Sequence, residues 1–600
     1  MGQPPATGRN TVREGLGWAV GKDAACDHAG GWHIGAGCCS EGNGTGSAAV
    51  VSVVQVCTRP PPAGAPQGCK GGGPSRTLLR SRLLAPRPWR SFGDHYELGR
   101  KIGEGSFGHV HEAIARLLGP ESWQPAGATE GGAATGCRDG RQARRVAVKV
   151  FQVERLDIQV AQEKGQAKRD DIKRRASFHK ETVMLASLEH PHIVRMHECF
   201  QHRRALYIVL ELCCGGELYR RLAERVRATG GSGFDELQAR VFFRQMLRAV
   251  SYLHAQRIVH RDLKTENFLL LGERGSSEED TLKLCDFGTA ARLSDARPRC
   301  MDHIGTLSYT SPEVYADQGA ALPADAWSLG VVLYVLITGT NPFRVAWRHS
   351  LREEIIGRIR AGDFEQQRAS WLEASAEAQD LVRHLLVLEE EQRLTCTQAL
   401  QHSWLARLDA LLLAPDSARH SAHAPEVVTL LQRLPRLAVG QRLALVVCAM
   451  ALSDSELKAL RLWRELFFTL DTDQDGRLDL AELALGLELL LGEAAGQLPK
   501  GCLVSCAVAL DLDGSGAVEW SEWLSLAVLG SAGLSRAPEP LCTAFRLLDG
   551  QPPVPGEEPA GQLIACWEPE GCRPVPAAGL SLSLPRLCSV LSSMEVYERL

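Results

Sequence analysis

The chain has 600 residues, enough for about three or four domains, and 44% of them are hydrophobic, which allows cores of ordinary size. Its 67 basic residues stand against 71 acidic ones, a formal net charge of −4 that excludes a globally basic nucleic-acid binder and leaves electrostatics to local clusters. The 19 cysteines form no CxxC pair or His/Cys zinc spacing and follow no secretory signal, so reduced thiols and an intracellular, cytoplasmic location are expected.

Residues 1–92 are rich in Gly, Pro, Ser and Ala without a lasting period, the pattern of a disordered region. The opening "MGQPPAT" offers Gly2 for myristoylation, but Ala6 stands where the motif wants Ser or Thr, so membrane anchoring there, or through Cys38 and Cys39, has little support. Strand and helix signals alternate from Tyr96 to about Leu405, interrupted by a Gly-rich stretch read as a loop inserted at about 116–143. Residues 406–455 carry helical apolar periodicity broken at Pro435, residues 456–530 alternate amphipathic helix and acidic loop twice, and 537–600 return to Pro and Gly. The longest apolar run in that junction, 443–452, is about half a bilayer span, so no transmembrane helix is expected.

In "KIGEGSFGHV" Gly103, Gly105 and Gly108 permit close approach of backbone to phosphate oxygens, although the same spacing fits an ordinary strand turn or a dinucleotide fold. "RRVAVKVF" places Lys149 on a strand where an ammonium can pair with nucleotide phosphates. Its carboxylate partner is expected to be Glu181, chosen over Glu154 and Glu163 because "HPHIV" follows it. In "IVHRDLKTENFLLL" Asp262 can accept a hydroxyl proton, Lys264 can neutralise a transferring phosphoryl group, and Asn267 can hold a metal ion. "LKLCDFGTA" then supplies Asp286, a second hard oxygen ligand suited to Mg²⁺.

In this order the motifs resemble the eukaryotic protein kinase signature set across residues 96–405. The resemblance implies a bilobal α+β kinase fold with ATP and Mg²⁺ as cofactors, and Ile102 and Val110 in contact with nucleotide beside the glycines. It further implies Leu210 as gatekeeper, Glu211 and Cys213 presenting backbone groups to adenine, and Glu217 at the ribose. Asp325 and the pair Glu313–Arg393 take structural roles by the same resemblance, and Lys264 with Thr306 resembles the serine/threonine class. Arg261 suggests an activation loop set by charge, with Asp302 as a fixed anion where relatives carry phosphate. The inserted loop and the charged stretch between Lys149 and Glu181 both bear on whether that pair forms.

"DTDQDGRLDLAE" matches a twelve-residue calcium loop. Asp471, Asp473, Asp475, the Arg477 carbonyl, Asp479 directly or through water, and Glu482 supply oxygens, while Gly476 takes the turn. "DLDGSGAVEWSE" repeats the pattern with Asp511, Asp513, Ser515, the Ala517 carbonyl, Glu519 and Glu522. The first loop, with five carboxylates against four, is expected to bind Ca²⁺ more tightly, and a third candidate at Asp549 is degenerate because prolines fill the loop and Ala560 ends it.

A kinase followed by a junction and EF-hands resembles the calcium-dependent protein kinases of plants and protists, including "ENFLL" and "LSDSEL", over residues 96 to about 530. The expected architecture is multidomain: a kinase fold followed by an all-α EF-hand lobe, with a disordered N-terminal region. In the junction, Leu434, Arg436 and Val439 have the spacing of a basic-directed Ser/Thr substrate and suit a block of the cleft; packing of 427–452 on the EF-hand lobe is the alternative. The expected partners are proteins with Ser or Thr near basic residues and the chain's own junction helix, in a monomer without nucleic acid. The rival functional reading is a calcium-sensing kinase-like scaffold with weak or no catalysis.

Overall fold

A computed structural model describes residues 91–105, 108–116, 144–153, 165–202, 204–344 and 351–406, then runs within 429–491 and 502–530. All of them lie in one compact unit, Gly72–Leu600. The N-terminal region, the inserted loop, the tail, Glu154, Glu163 and Asp513 fall outside the described residues.

The first lobe is an antiparallel sheet in the order β1-β2-β3-β5-β4, from β1 (Tyr96–Gly105), β2 (Gly108–Ala115), β3 (Arg145–Gln152), β4 (Met196–Gln201) and β5 (Ala205–Leu210). Strand β3 is exposed only at its ends, since both of its faces are covered. Val146, Val148 and Val150 join an outer cluster with Tyr96, Phe200 and Val209, while Ala147 and Phe151 face the main core. The two-residue period of a strand therefore puts Lys149 on the core side. Helix α1 (Gly165–Ala186) packs on that side, with Phe178 edge-on to Phe151 at 5.7 Å.

The second lobe is helical, built on α2 (Glu236–Ala255) and α3 (Leu322–Thr338). Asp235 caps α2 by accepting from the Gln238 amide at 2.9 Å. Helix α3 is buried without break from Ala324 to Thr338, as a helix that is apolar all round must be, and Gly339 ends it in the left-handed conformation at φ 74°. In its first turn the fully buried Asp325 accepts from the amides of His260 at 2.8 Å and Arg261 at 2.9 Å. A second buried anchor is Glu313, held in a two-point ion pair by Arg393 at 2.9 and 3.0 Å.

Five further helices follow: α4 (Val439–Ala451), α5 (Arg461–Leu470), α6 (Leu480–Leu491), α7 (Cys502–Leu510) and α8 (Trp520–Gly530). They include two helix–loop–helix units whose loops pair as a short antiparallel ladder, Leu478 with Val518 and Asp479 with Ala517. Leu478 and Val518 are fully buried, so the ladder also closes a core. Helix α4 packs along α8, and the turn Leu434–Arg436 rests on α7.

That packing differs from a junction seated in the cleft. Leu434 is 1% exposed and Leu445 fully buried, and the apolar face of this segment gains more from the helical unit than an open cleft offers. Arg436 points to solvent, and the side chain of Val439 lies outside the described set.

Removing one partner of the Glu313–Arg393 pair leaves a buried charge uncompensated. Glu313→Ala is expected to lower stability by about 3–5 kcal/mol, read as a shift in the urea midpoint of the full chain.

Candidate functional site

Between the lobes lies a cavity of about 490 Å³ lined by Ile102, Gly103, Val110, Ala147, Lys149, Glu181, Leu210, Glu211, Cys213, Glu217, Asn267 and Asp286, among others. The Lys149 ammonium lies 2.7 and 2.8 Å from the two oxygens of Glu181 and 3.2 Å from Asp286 Oδ1. Burial alone would lower the lysine pKa, but the two carboxylates outweigh it and raise it, so the ammonium stays charged. Asp286 is partly buried, which would raise its pKa, yet Lys149 holds its carboxyl below the ordinary aspartate range. Its backbone sits at φ 60°, a strained conformation for a non-glycine residue.

Gly105 and Gly108 face each other across the β1–β2 ladder and are not among the residues lining the cavity. A Cβ at Gly108 would lie 2.3 Å from the Val150 carbonyl oxygen, so close packing on β3 already requires glycine there. Glu211 is 2% exposed; its carboxylate pairs with Lys283 at 2.9 Å and its amide donates to the Arg195 carbonyl at 2.9 Å.

Asp262, Lys264 and Thr306 are not among the lining residues: Lys264 donates to Asp262 Oδ2 at 2.7 Å and to Thr306 Oγ1 at 2.9 Å, while Thr306 donates to Asp262 Oδ1 at 2.7 Å. Asn267 donates its amide to the Asp262 carbonyl at 2.7 Å, which leaves its side-chain oxygen for a cation. Asn267 and Asp286 thus bring two hard oxygens to the mouth of the cavity, a donor set suited to Mg²⁺. Arg261, at φ 72°, donates through Nε and Nη2 to the Thr289 carbonyl at 2.8 and 2.5 Å. Its buried Nη1 has no hydrogen-bond partner, and Asp302 lies 3.8 Å away.

The first acidic loop gathers carboxylate oxygens of Asp471, Asp473 and Asp475 within 4.8 Å of one another. Asp471 Oδ1 is buried without a hydrogen-bond partner, while Oδ2 accepts from the Gly476 amide at 3.1 Å. Burial, reinforced by the neighbouring carboxylates of Asp475 and Glu482, pushes the Asp471 pKa up to about 8. Asp475 rises to about 6 for the same reasons. An orphaned, buried, acid-flanked oxygen is the electrostatic requirement of a divalent cation, so the residues fit one. Glu482 reaches back to accept from the Thr472 and Asp473 amides at 2.9 and 3.0 Å, which closes the loop.

In the second loop Asp511 accepts from the Ser515 and Gly516 amides, at 2.6 and 2.7 Å, and Glu522 from the Leu512 amide at 2.9 Å. Two expected ligand atoms satisfy each other instead of facing a cation, because Ser515 Oγ donates to the Ala517 carbonyl at 2.6 Å. Glu519 pairs with Arg477 across the ladder at 3.2 Å.

Sequence reasoning missed the residues that join the two halves. Arg464 of α5 makes a two-point pair with Glu278 at 3.0 and 3.1 Å, Ser521 of α8 donates to Glu189 at 2.8 Å, and Phe468 stacks on His192 at 5.2 Å. Burial opposes ionisation of Glu278, but Arg464 overrides it and lowers the pKa. No periodic or motif signal marks these positions, since each contact joins residues distant in the chain.

The bilobal fold, the cleft and the Lys149–Glu181 pair define a protein kinase domain. The sequence profile described as the protein kinase domain matches residues 124–405, and the structure places β1 and β2 before that match. The serine/threonine-protein kinase DCLK3 of Homo sapiens is 33% identical over 311 residues, 52% of this chain, and the chain spans 40% of that protein. Calcium-dependent protein kinase 9 of Oryza sativa subsp. japonica is 31% identical over 466 residues, 76% of this chain and 68% of that protein. Calcium-dependent protein kinase 17 of Arabidopsis thaliana is 29% identical over 529 residues, 88% of this chain and 86% of that protein. The chain belongs to the calcium-dependent protein kinase family, and its kinase domain is of the serine/threonine class.

Without a cation, the folded chain holds a proton on Asp471 that the unfolded chain has released at neutral pH. The folded state therefore loses this contribution as pH rises through about 8. Thermal unfolding in chelator is expected to fall by several degrees between about pH 6 and pH 9, and Asp471→Asn to remove that part of the slope.

Proposed function

We propose that this protein is a calcium-activated serine/threonine kinase that transfers the γ-phosphate of ATP to protein hydroxyls. The observation that carries the reading is the assembled pair of Lys149 with Glu181, next to an Asp262 whose carboxylate is already held by Lys264 and Thr306. Mg²⁺, when bound with ATP, neutralises charge on the phosphates, and Asn267 and Asp286 are the residues to hold it. Lys149 orients the phosphates, Asp262 accepts the proton of the substrate hydroxyl, and Lys264 offsets negative charge on the group in transfer. Glu217, Glu266 and Glu273 are among the residues lining the cavity, alongside Arg100, Lys101, Arg145 and Arg220, and the three carboxylates are the groups a basic substrate residue would meet.

The two helix–loop–helix units are read as EF-hands, with Asp471, Asp473, Asp475 and Glu482 as the main Ca²⁺ ligands of the first. The second, with Asp511 and Glu522, is the weaker site because Ser515 and Ala517 must exchange their mutual bond for the cation. In this reading the described arrangement, with Leu434 packed in the helical unit, is the released state. Without calcium the segment around Leu434, Arg436 and Val439 blocks the cleft, and calcium stabilises its withdrawal through differential affinity for the two states. An intracellular location, expected from the sequence, is part of the same proposal.

The test is phosphate transfer to a basic Ser/Thr peptide, with Ca²⁺ and with chelator. Activity is expected only with Ca²⁺, and replacing both Glu482 and Glu522 by Gln should hold the enzyme at its chelator level; equal activity in both conditions would overturn the calcium reading. Asp262→Asn is expected to lower kcat by about 10²–10⁴-fold, while an unchanged kcat would remove Asp262 from its role. Transfer in neither condition would leave the scaffold reading in its place.

A further inference from the structure

The helical unit docks on one strip of the kinase domain, and one residue of that strip, Arg195, is hydrogen-bonded to Glu211 of the cavity lining. Its contacts fall on Glu189, His190, His192, Arg195, Arg248, Tyr252 and Glu278. Phe468 lies parallel to the His192 ring, with planes 4° apart, and under the Arg248 guanidinium at 4.2 Å. The first acidic loop reaches the same surface. At Gly476, φ 79°, an added Cβ would lie 2.8 Å from Tyr252 and 2.9 Å from His190, so the turn of that loop rests directly on the kinase core.

Arg195 differs from the other contacts because it faces both ways. Its guanidinium donates through Nη1 to the Ala449 carbonyl at 3.4 Å and through Nη2 to the Leu452 carbonyl. These carbonyls belong to the last turn and end of α4, where a cation is favoured, and the Ala449 carbonyl also accepts from the Leu452 amide at 3.3 Å. Its backbone brackets Glu211: the Arg195 carbonyl accepts from the Glu211 amide at 2.9 Å, and the Arg195 amide donates to Glu211 Oε2 at 3.2 Å. The β4–β5 ladder shifts register just beyond, between Met196 and Glu198, so these bonds hold the end of the ladder. Glu211, Leu212 and Cys213 line the cavity. One residue therefore separates the end of the junction helix from the wall that would meet adenine.

We propose that Arg195 is a positioning residue that ties the junction helix to the nucleotide-binding wall, so that docking of the helical unit sets nucleotide affinity. This rests on the calcium reading given above, and it extends that reading: if calcium favours the docked arrangement and docking orders Glu211 to Cys213, calcium tightens nucleotide binding. By linkage, bound nucleotide tightens calcium binding by the same factor.

The experiment is ADP binding to the full chain, by calorimetry in Mg²⁺ buffer, with Ca²⁺ and with chelator. Wild type is expected to bind ADP at least about 5-fold more tightly with Ca²⁺, and Arg195→Ala to abolish that difference. Arg464→Gln, which loosens docking at Glu278 without touching the wall, is expected to reduce it. A purely structural cap on α4 would lower thermal stability in Arg195→Ala but leave the calcium dependence of ADP affinity intact, and that result overturns the proposal. If Arg195→Ala does not fold, an unchanged difference in Arg464→Gln overturns it. Calcium-dependent phosphate transfer together with calcium-independent ADP affinity in wild type sinks this inference alone; a chain that binds no Ca²⁺ sinks the calcium reading with it.

Discussion

The ion pair between Lys149 and Glu181 is the point at which separately built parts of the kinase domain must agree. Taking an ammonium out of water costs several kcal/mol unless carboxylates replace the lost solvation, and here Glu181 and Asp286 both do so. Satisfying that demand requires β3 to turn Lys149 toward the core, α1 to bring Glu181 over it, and the Asp286 turn to close from below. The edge contact between Phe151 and Phe178 sets the distance between strand and helix. The pair is formed, while the inserted loop beside β3 falls outside the described residues.

A second constraint holds the floor of the cleft. Arg261 and Asp286 both occupy the left-handed region, conformations that cost of order 1–3 kcal/mol each and persist only where their surroundings hold them. Asp325 supplies that hold for Arg261 by accepting two successive amides from a fully buried position. The backbone at His260 and Arg261, just before Asp262, is thereby fixed by the same helix that forms the centre of the second lobe. Lys149 plays the corresponding part for Asp286.

The helical unit is joined to the kinase domain by contacts unlike those of a loose tether. They combine a bidentate ion pair, a buried hydroxyl–carboxylate bond and a stacked aromatic on histidine. Burial pushes the pKa values of His190 and His192 well below the ordinary histidine value, so both rings are neutral and can pack as aromatics against Phe468. The turn of the first acidic loop rests on this same surface, with Gly476 against Tyr252 and His190.

Much of the cleft was legible in the sequence because phosphoryl transfer demands particular residue types in a particular order. Lys149, Glu181, Asp262, Lys264, Asn267 and Asp286 could be read before any coordinates, as could the spacing of the two acidic loops. Leu478 and Val518, at the same position of the two loops, pair in the ladder. Side-chain bonds inside the loops could not be read this way, since a Ser515 hydroxyl bonding the Ala517 carbonyl looks the same in sequence as one facing a cation. Nor could the resting place of the junction: Leu434, Arg436 and Val439 suit a cleft and a helical groove equally by pattern, and the described arrangement has Leu434 buried in the helical unit. Chemistry carried by residue identity and local spacing was determined by the sequence alone. Where the two halves meet, and that Arg195 lies between α4 and Glu211, was decided only in the tertiary structure, because those bonds join residues up to 332 positions apart whose partners no local pattern specifies.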